Sequence, residues 1–222
     1  GVVRLLRHET LRIFYDRLVG EQDKEFVSKK IEEVLQKTFP DEAGKAMEDP
    51  IIYGDFLLFN EIAEAGPGSG LVRLYEDLTD YAKIKPVMME VLENYNMANK
   101  VMNLVLFDDC LDHLVRVHRL MRLPRGNALL VGVGGSGKQS ITRLAAYTSN
   151  ADVFTITLTR GYNEQLFRED LKILYGMLAA KSVAFFFSDG HVAEEGFLEL
   201  VNNMLTSGMV PALYEESEKD GI

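Results

Sequence analysis

The sequence predicts an α/β fold: a parallel sheet with helices on both faces, preceded by a small all-helical region. Three observations lead there. From Asn127 onward, short apolar runs of strand length alternate with longer segments of helical period. A glycine-rich run, Gly132-Val-Gly-Gly-Ser-Gly-Lys138-Gln139-Ser140, sits where the first such strand would turn into a helix. The first forty residues show helical spacing alone. Alternation of strands and helices gives a parallel sheet covered on both faces.

In chain order, Val2 to Val19 places Leu11, Phe14 and Leu18 at helical spacing, and Gly20 suits a stop. Asp23 then caps a second helix with the stripe Val27, Ile31, Val34 and Leu35, which Pro40 ends. Arg4, Arg7 and Arg12 read as a solvated helix face, with reach toward a neighbouring nucleotide as the other reading. Residues 1–48 form this helical domain and 49–84 a linker. The linker is irregular, with Phe56-Leu-Leu-Phe59 as a short strand or extended anchor and Gly66-Pro-Gly-Ser-Gly70 as a loop. The third domain covers 85–222. Pro86 suits the first turn of a helix bearing Met88, Val91, Leu92 and Tyr95. Another helix, from about Asp109 to Met121, carries Leu111, Leu114, Val115 and Met121. Asp108 and Asp109 suit its N-cap better than acid-base work or a metal, because no other ligand converges with them. His113 and His118 are five apart, off the shared face of a helical two-histidine metal site, and read as surface or rim residues.

Asn127-Ala-Leu-Leu-Val131 reads as a buried strand, and Gln139 to Tyr147 as a helix with Ile141, Leu144 and Ala145 on one face. Between them, four glycines (Gly132, Gly134, Gly135, Gly137) free the backbone to turn successive N–H groups inward onto phosphate oxygens. The helix dipole adds to that attraction, and Lys138 supplies a point charge for the outer phosphates. The pattern GxxxxGK fits Gly132, Gly137 and Lys138, but Gln139 stands where a Ser or Thr hydroxyl would meet Mg²⁺. Ser140 comes one residue late, turned about 100° around the helix. A strand from Val153 to Leu158, a helix from Asn163 to Leu178, a strand from Val183 to Asp189 and a helix from Ala193 to Leu205 follow. Asp189, at a strand end, is the candidate for Mg²⁺, directly or through water, with turn capping as the plainer alternative. Gly190 after it offers no group to activate water. Glu194 and Glu195 are the nearby carboxylates for that task, and equally suit the start of the next helix.

Composition bounds the function. With 222 residues, 47% hydrophobic and 26% charged, the chain has the make-up of a soluble globular protein, and no apolar run approaches bilayer length. A formal charge of −10 argues against broad binding to nucleic acid or anionic membranes. Cys110 has no partner cysteine, which fits a reducing compartment and a small buried apolar role. A start at Gly1 without a leader suggests a piece of a longer chain.

The stretch Lys100-Val-Met-Asn-Leu-Val-Leu-Phe-Asp-Asp-Cys-Leu-Asp-His-Leu114, followed by Arg122-Leu-Pro-Arg-Gly-Asn-Ala-Leu-Leu-Val-Gly-Val-Gly-Gly-Ser-Gly-Lys-Gln-Ser140, resembles the fourth AAA+ module of axonemal dynein heavy chains. Arg4 to Leu18 resembles the helical lid ending the third module. The resemblance covers nearly the whole chain and implies a P-loop NTPase of the AAA+ type preceded by a lid subdomain. It implies Gly132 to Ser140 as the Walker A loop binding ATP or ADP, Asp189 as the Walker B aspartate, and Leu106 and Phe107 on the adenine side. It further implies adjacent AAA+ modules as neighbours in the same chain. Through the full-length parent it implies dynein intermediate and light chains and microtubules as partners, and the axoneme of a cilium or flagellum as location. Active modules of that family carry Glu where this chain has Gly190, which implies binding with weakened hydrolysis. A working ATPase using Glu194 or Glu195, and a structural ring segment with an empty site, are the competing expectations.

Overall fold

The computed structural model describes residues 1–66 and 69–214; Pro67 and Gly68 of the expected loop, and the last residues of the third domain, lie outside these. The chain divides into two compact units, one of residues 1–97 and 105–115, the other of 98–104 and 116–222.

In the first unit, α1 (Val2–Thr10) runs into a π-helical turn at Leu11–Tyr15, closed by Asp16 N–H on the Leu11 carbonyl at 3.0 Å. α2 (Glu21–Thr38) begins one residue after Gly20, earlier than expected, so Asp23 lies in its first turn rather than capping it. Acids there still favour the helix through its dipole. Pro40 does end α2, but it also opens a third helix, α3 (Pro40–Ala46), at a first-turn position where a missing N–H costs nothing. Leu35, Ala43 and Ala46 form the small core, with Val3, Ile31, Phe39 and Met47 packed around it.

The reading of Arg4 and Arg7 as a solvated face is overturned, because both are buried. Arg4 pairs through Nε with Asp77 and donates to the carbonyls of Glu48 and Pro50. Arg7 donates to the carbonyls of Ala46 and Glu48, each at 3.2 Å, and to Asp49 at 2.9 Å. Arg12 pairs with Asp16 one turn along. A guanidinium offers five donors, and a chain bend that leaves carbonyls without helix or sheet partners can use them all.

Within residues 49–84, Ile52, Tyr53, Phe56, Phe59 and Leu78 are buried, while Leu71, Val72 and Leu74 are exposed. A two-residue strand β1 (Tyr53–Gly54) pairs antiparallel with β2 (Glu76–Asp77). Gly54 is required there, since a Cβ would lie 2.5 Å from the Phe56 ring. His8 sits against Tyr53 and Tyr75, its Nε2 3.0 Å from the Tyr75 hydroxyl. Phe56 leads through a turn into α4 (Phe59–Ala65) rather than extending as a strand. α5 (Tyr81–Ala98) buries Ile84, Met88, Val91 and Tyr95, and Pro86 lies inside it rather than in its first turn, so the Ala82 carbonyl loses its usual donor. α6 (Asp108–Arg122) starts in the first unit with Asp108 and Asp109 in its first turn. Cys110 is buried, which pushes its thiol pKa up.

The second unit takes over α6 from Arg116. His118, expected at the surface, is buried, with Nδ1 3.1 Å from the Thr148 hydroxyl and 3.0 Å from that of Ser149. The helix closes through Leu123 N–H on Leu120 and Gly126 N–H on Leu123. α7 (Lys138–Thr148), β3 (Asp152–Phe154), α8 (Glu164–Ala180), β4 (Val183–Phe185) and α9 (Gly196–Ser207) follow in the expected alternation, but the strands stop at Phe154 and Phe185, short of the expected Leu158 and Asp189. β3 and β4 are parallel, in the register Val153 to Ala184, and the ladder continues through Phe186 N–H on Phe154 at 2.8 Å. The core is Ile156, Phe167, Leu171, Leu174, Phe197, Leu200, Val210 and Leu213, with the Phe167 and Phe197 rings stacked 4.5 Å apart. Asn163 caps α8 by accepting the Leu166 N–H, and Gly208, left-handed at φ 76°, ends α9.

The expected buried strand at 127–131 is a correction. The segment has no ladder partner among the described residues, and Leu129, Val131 and Val133 are 92%, 87% and 78% exposed. These alternate positions share one face of an extended segment, so an entire apolar face lacks cover. Apolar composition supplies the tendency to form a strand; a neighbouring strand must supply the hydrogen bonds.

Candidate functional site

The glycine-rich loop owes its shape to three features of its sequence. Gly135 and Gly137 have φ of +76° and +80°, a left-handed region costly to residues with a Cβ. Gly137 is the N-cap of α7 and provides no side-chain cap, so the first N–H groups of that helix remain available to an anion. At Gly132, a Cβ would lie 3.2 Å from the Ser136 hydroxyl and 3.8 Å from the Lys138 ammonium.

Lys138 opens α7 and folds back over the loop. Its Nζ donates to the carbonyls of Gly132 at 2.7 Å and Val133 at 2.8 Å and lies 3.3 Å from Ser136 Oγ. The cation is thereby tethered inside the turn, where a phosphate would meet it together with the helix N–H groups. Residues 132–136 are exposed, Gln139 is exposed and Ser140 half-buried. α7 is anchored from behind by Ile141, Leu144, Ala145 and Ala146, all buried. Leu104 was not anticipated: its Cδ1 would be 3.6 Å from a Cβ at Gly137, so it lies against the loop. An apolar residue in an irregular stretch carries no periodic signal that would have singled it out. Leu106 is buried and Phe107 exposed, and both belong to the first unit.

Asp189 opens a 3-10 turn, Asp189–His191, just beyond the end of β4, and is exposed. Ser188 N–H donates to His191 Nδ1 at 3.1 Å, while His191 N–H donates to the Ser188 carbonyl at 2.9 Å. Burial lowers the His191 pKa below its usual 6.5, only partly opposed by the nearby Asp189 charge. Gly190 has no conformational reason to be glycine: its φ is not left-handed, and a Cβ would find nothing nearer than Ser188 Oγ at 3.8 Å.

Of the candidate bases Glu194 and Glu195, the first takes another role. Glu194 Oε2 accepts the Glu164 N–H at 3.1 Å, satisfying a free donor at the start of α8. Glu195 stands at the N-cap position of α9, and its side chain makes no capping hydrogen bond. A Cβ at Gly196 would sit 2.8 Å from Glu164 Oε2, the far end of a flexible side chain. Among the described residues no group of three or more His, Cys, Asp or Glu could hold a metal. The one exposed carboxylate of Asp189 suits Mg²⁺ only in the mode where phosphate oxygens and water supply the rest of the octahedron. No helix among the described residues is long and apolar enough to cross a membrane.

Residues 102–222 match the family described as P-loop containing dynein motor region D4, and residues 1–53 match the AAA+ lid domain. The chain is 54% identical over 224 residues to the Dynein-1-alpha heavy chain of the flagellar inner arm I1 complex from Chlamydomonas reinhardtii. It is also 54% identical over 223 residues to human Dynein axonemal heavy chain 10, and 43% identical over 226 residues to human Dynein axonemal heavy chain 17. These matches cover 99% to 100% of the chain and 5% of each relative's length. The glycine loop, the parallel strands and the helical lid are therefore those of an AAA+ protein, and the chain belongs to the dynein heavy-chain family as a P-loop D4 region preceded by a lid.

Proposed function

We propose that the chain is a nucleotide-holding regulatory AAA+ module of an axonemal dynein heavy chain. It binds ATP or ADP, with Mg²⁺, and hydrolyses poorly. The observation that carries this reading is the Lys138 ammonium drawn over a loop whose left-handed Gly137 leads into an uncapped helix. Backbone N–H groups of the loop and of α7 would receive the phosphate oxygens, and Lys138 would exchange its carbonyl bonds for the outer phosphates. Asp189 would hold Mg²⁺ beside them, directly or through water; bound metal neutralises phosphate charge.

Hydrolysis needs a group to orient or deprotonate water. Gly190 has none, and the Glu194 carboxylate is engaged at the start of α8. Nucleotide in this site therefore acts as a bound effector within the ring, while motion along microtubules draws on other modules of the parent. Adjacent AAA+ modules are its immediate neighbours. Intermediate and light chains and the microtubule are reached through the rest of the heavy chain, in the cytoskeleton of a cilium or flagellum.

The test uses the full-length heavy chain. Lys138→Ala should reduce the nucleotide retained after gel filtration by one equivalent per chain, and full retention would sink the proposal. Gly190→Glu, for which the turn has room, should raise turnover at this site; a rate no higher than wild type would locate the defect elsewhere, with Gln139 as the first alternative.

A further inference from the structure

We propose that His191 is a phosphate-binding residue of this site, its Nε2–H donating to an oxygen of the outermost phosphate of the bound nucleotide. The inference rests on the nucleotide reading above and adds a contact that no sequence motif assigns.

The argument begins with the tautomer. Ser188 N–H lies just past the β4 ladder and finds its acceptor in His191 Nδ1 at 3.1 Å, with Ser188 Oγ also 3.4 Å away. Accepting a backbone N–H uses the Nδ1 lone pair, so the ring proton resides on Nε2. The imidazole is held in orientation by Phe186, edge-on with ring centroids 6.2 Å apart, and by Phe187 at 5.8 Å. Nε2 has no hydrogen-bond partner among the described residues, nor is it a buried atom. A preset donor thus remains free in the same 3-10 turn that carries Asp189.

In open sheets of parallel strands, ligands lie beyond the carboxyl ends of the strands. The turn following β4 offers an anionic oxygen donor suited to a cation and a fixed N–H suited to a phosphate oxygen. Between them, at Gly190, it offers no acceptor for a proton from water. A donor that engages the phosphate before any chemistry stabilises the bound ground state, which lengthens occupancy without raising turnover.

The ring's two nitrogens can be separated by substitution. In His191→Asn the amide oxygen reaches the Nδ1 position and keeps the Ser188 bond but loses the outer donor. In His191→Gln an N–H group reaches the Nε2 position. Both are made in the full-length heavy chain, with MgATP and MgADP as probes, and binding at this site is read as the difference from Lys138→Ala. Asn should weaken binding about tenfold, the scale of one hydrogen bond to a charged group, while amide exchange at Ser188 stays slow; Gln should bind within about threefold of wild type. Wild-type affinity in the Asn variant, or equal losses in both variants, overturns the proposal. If Lys138→Ala itself leaves bound nucleotide unchanged, the nucleotide reading fails and this inference with it.

Discussion

Gly126 closes the turn between α6 and the segment leading into the phosphate loop, and Gly126→Ala tests that joint. An added Cβ would lie 1.8 Å from the Leu120 carbonyl oxygen, 2.8 Å from its carbon and 3.2 Å from the Leu123 oxygen. All three are backbone atoms, so no side chain can swing aside. Ordinary contact begins near 3.4 Å, which requires a backbone displacement of well over an ångström. Such a shift breaks the bonds from Leu123 N–H to Leu120 at 3.1 Å and from Gly126 N–H to Leu123 at 3.0 Å. Two net hydrogen bonds at about 1 kcal/mol each, with overpacking strain of about 1–3 kcal/mol, give roughly 3–5 kcal/mol. At about 2–4 °C per kcal/mol, the second unit should melt roughly 10 °C lower. Thermal unfolding by circular dichroism measures this, with hydrogen exchange of the backbone from 120 to 138 locating the loss. Gly134→Ala is the control: nothing lies within 4 Å of its Cβ, and the expected change is below about 0.5 kcal/mol. If Gly126→Ala melts within about 2 °C of wild type, the turn geometry and the reasoning built on it are wrong.

Two further outcomes concern stability and pH. Arg4→Ala should cost about 3 kcal/mol, because it breaks the ion pair with Asp77 and removes the guanidinium donors to the Glu48 and Pro50 carbonyls, and a chemical denaturation midpoint unchanged by the substitution would contradict that. Tyr162 donates its hydroxyl to Asp170, and its pKa is raised first by burial and then by the Asp170 hydrogen bond and charge. Because the folded value lies above the unfolded one, this group's stabilisation is complete below the ordinary tyrosine pKa of about 10 and is lost as pH rises beyond it. Tyr162→Phe should therefore flatten the alkaline fall in stability, and an identical alkaline limb in the two proteins would refute the assignment.

The difference between what could be read in the chain and what could not follows the range of each interaction. The helix beginning near Asn163 and the positions Met88, Val91 and Tyr95 rest on neighbours within a turn or two, and they were legible, although Leu92 of the same stripe is only half-buried. Pro40 was legible only in part: its ring ends one helix and starts another, and both are properties of the same residue. His118 gave no sign of burial, because its hydroxyl partners are some thirty residues away.

The composition of the phosphate loop, its Lys138 and the missing side chain at Gly190 are local facts, written in consecutive residues whose backbone preferences and charges travel with them. The family likewise follows from consecutive residues. The fate of side chains able to act at a distance is another matter. Arg4 and Arg7 became buried clamps on carbonyls some forty residues away, Glu194 became the acceptor for the first N–H of a helix thirty residues earlier, and the apolar side chains of Leu129, Val131 and Val133 stand uncovered. A charged or apolar side chain records what it can satisfy; which donor, acceptor or neighbouring strand it meets depends on how the chain is brought back to it.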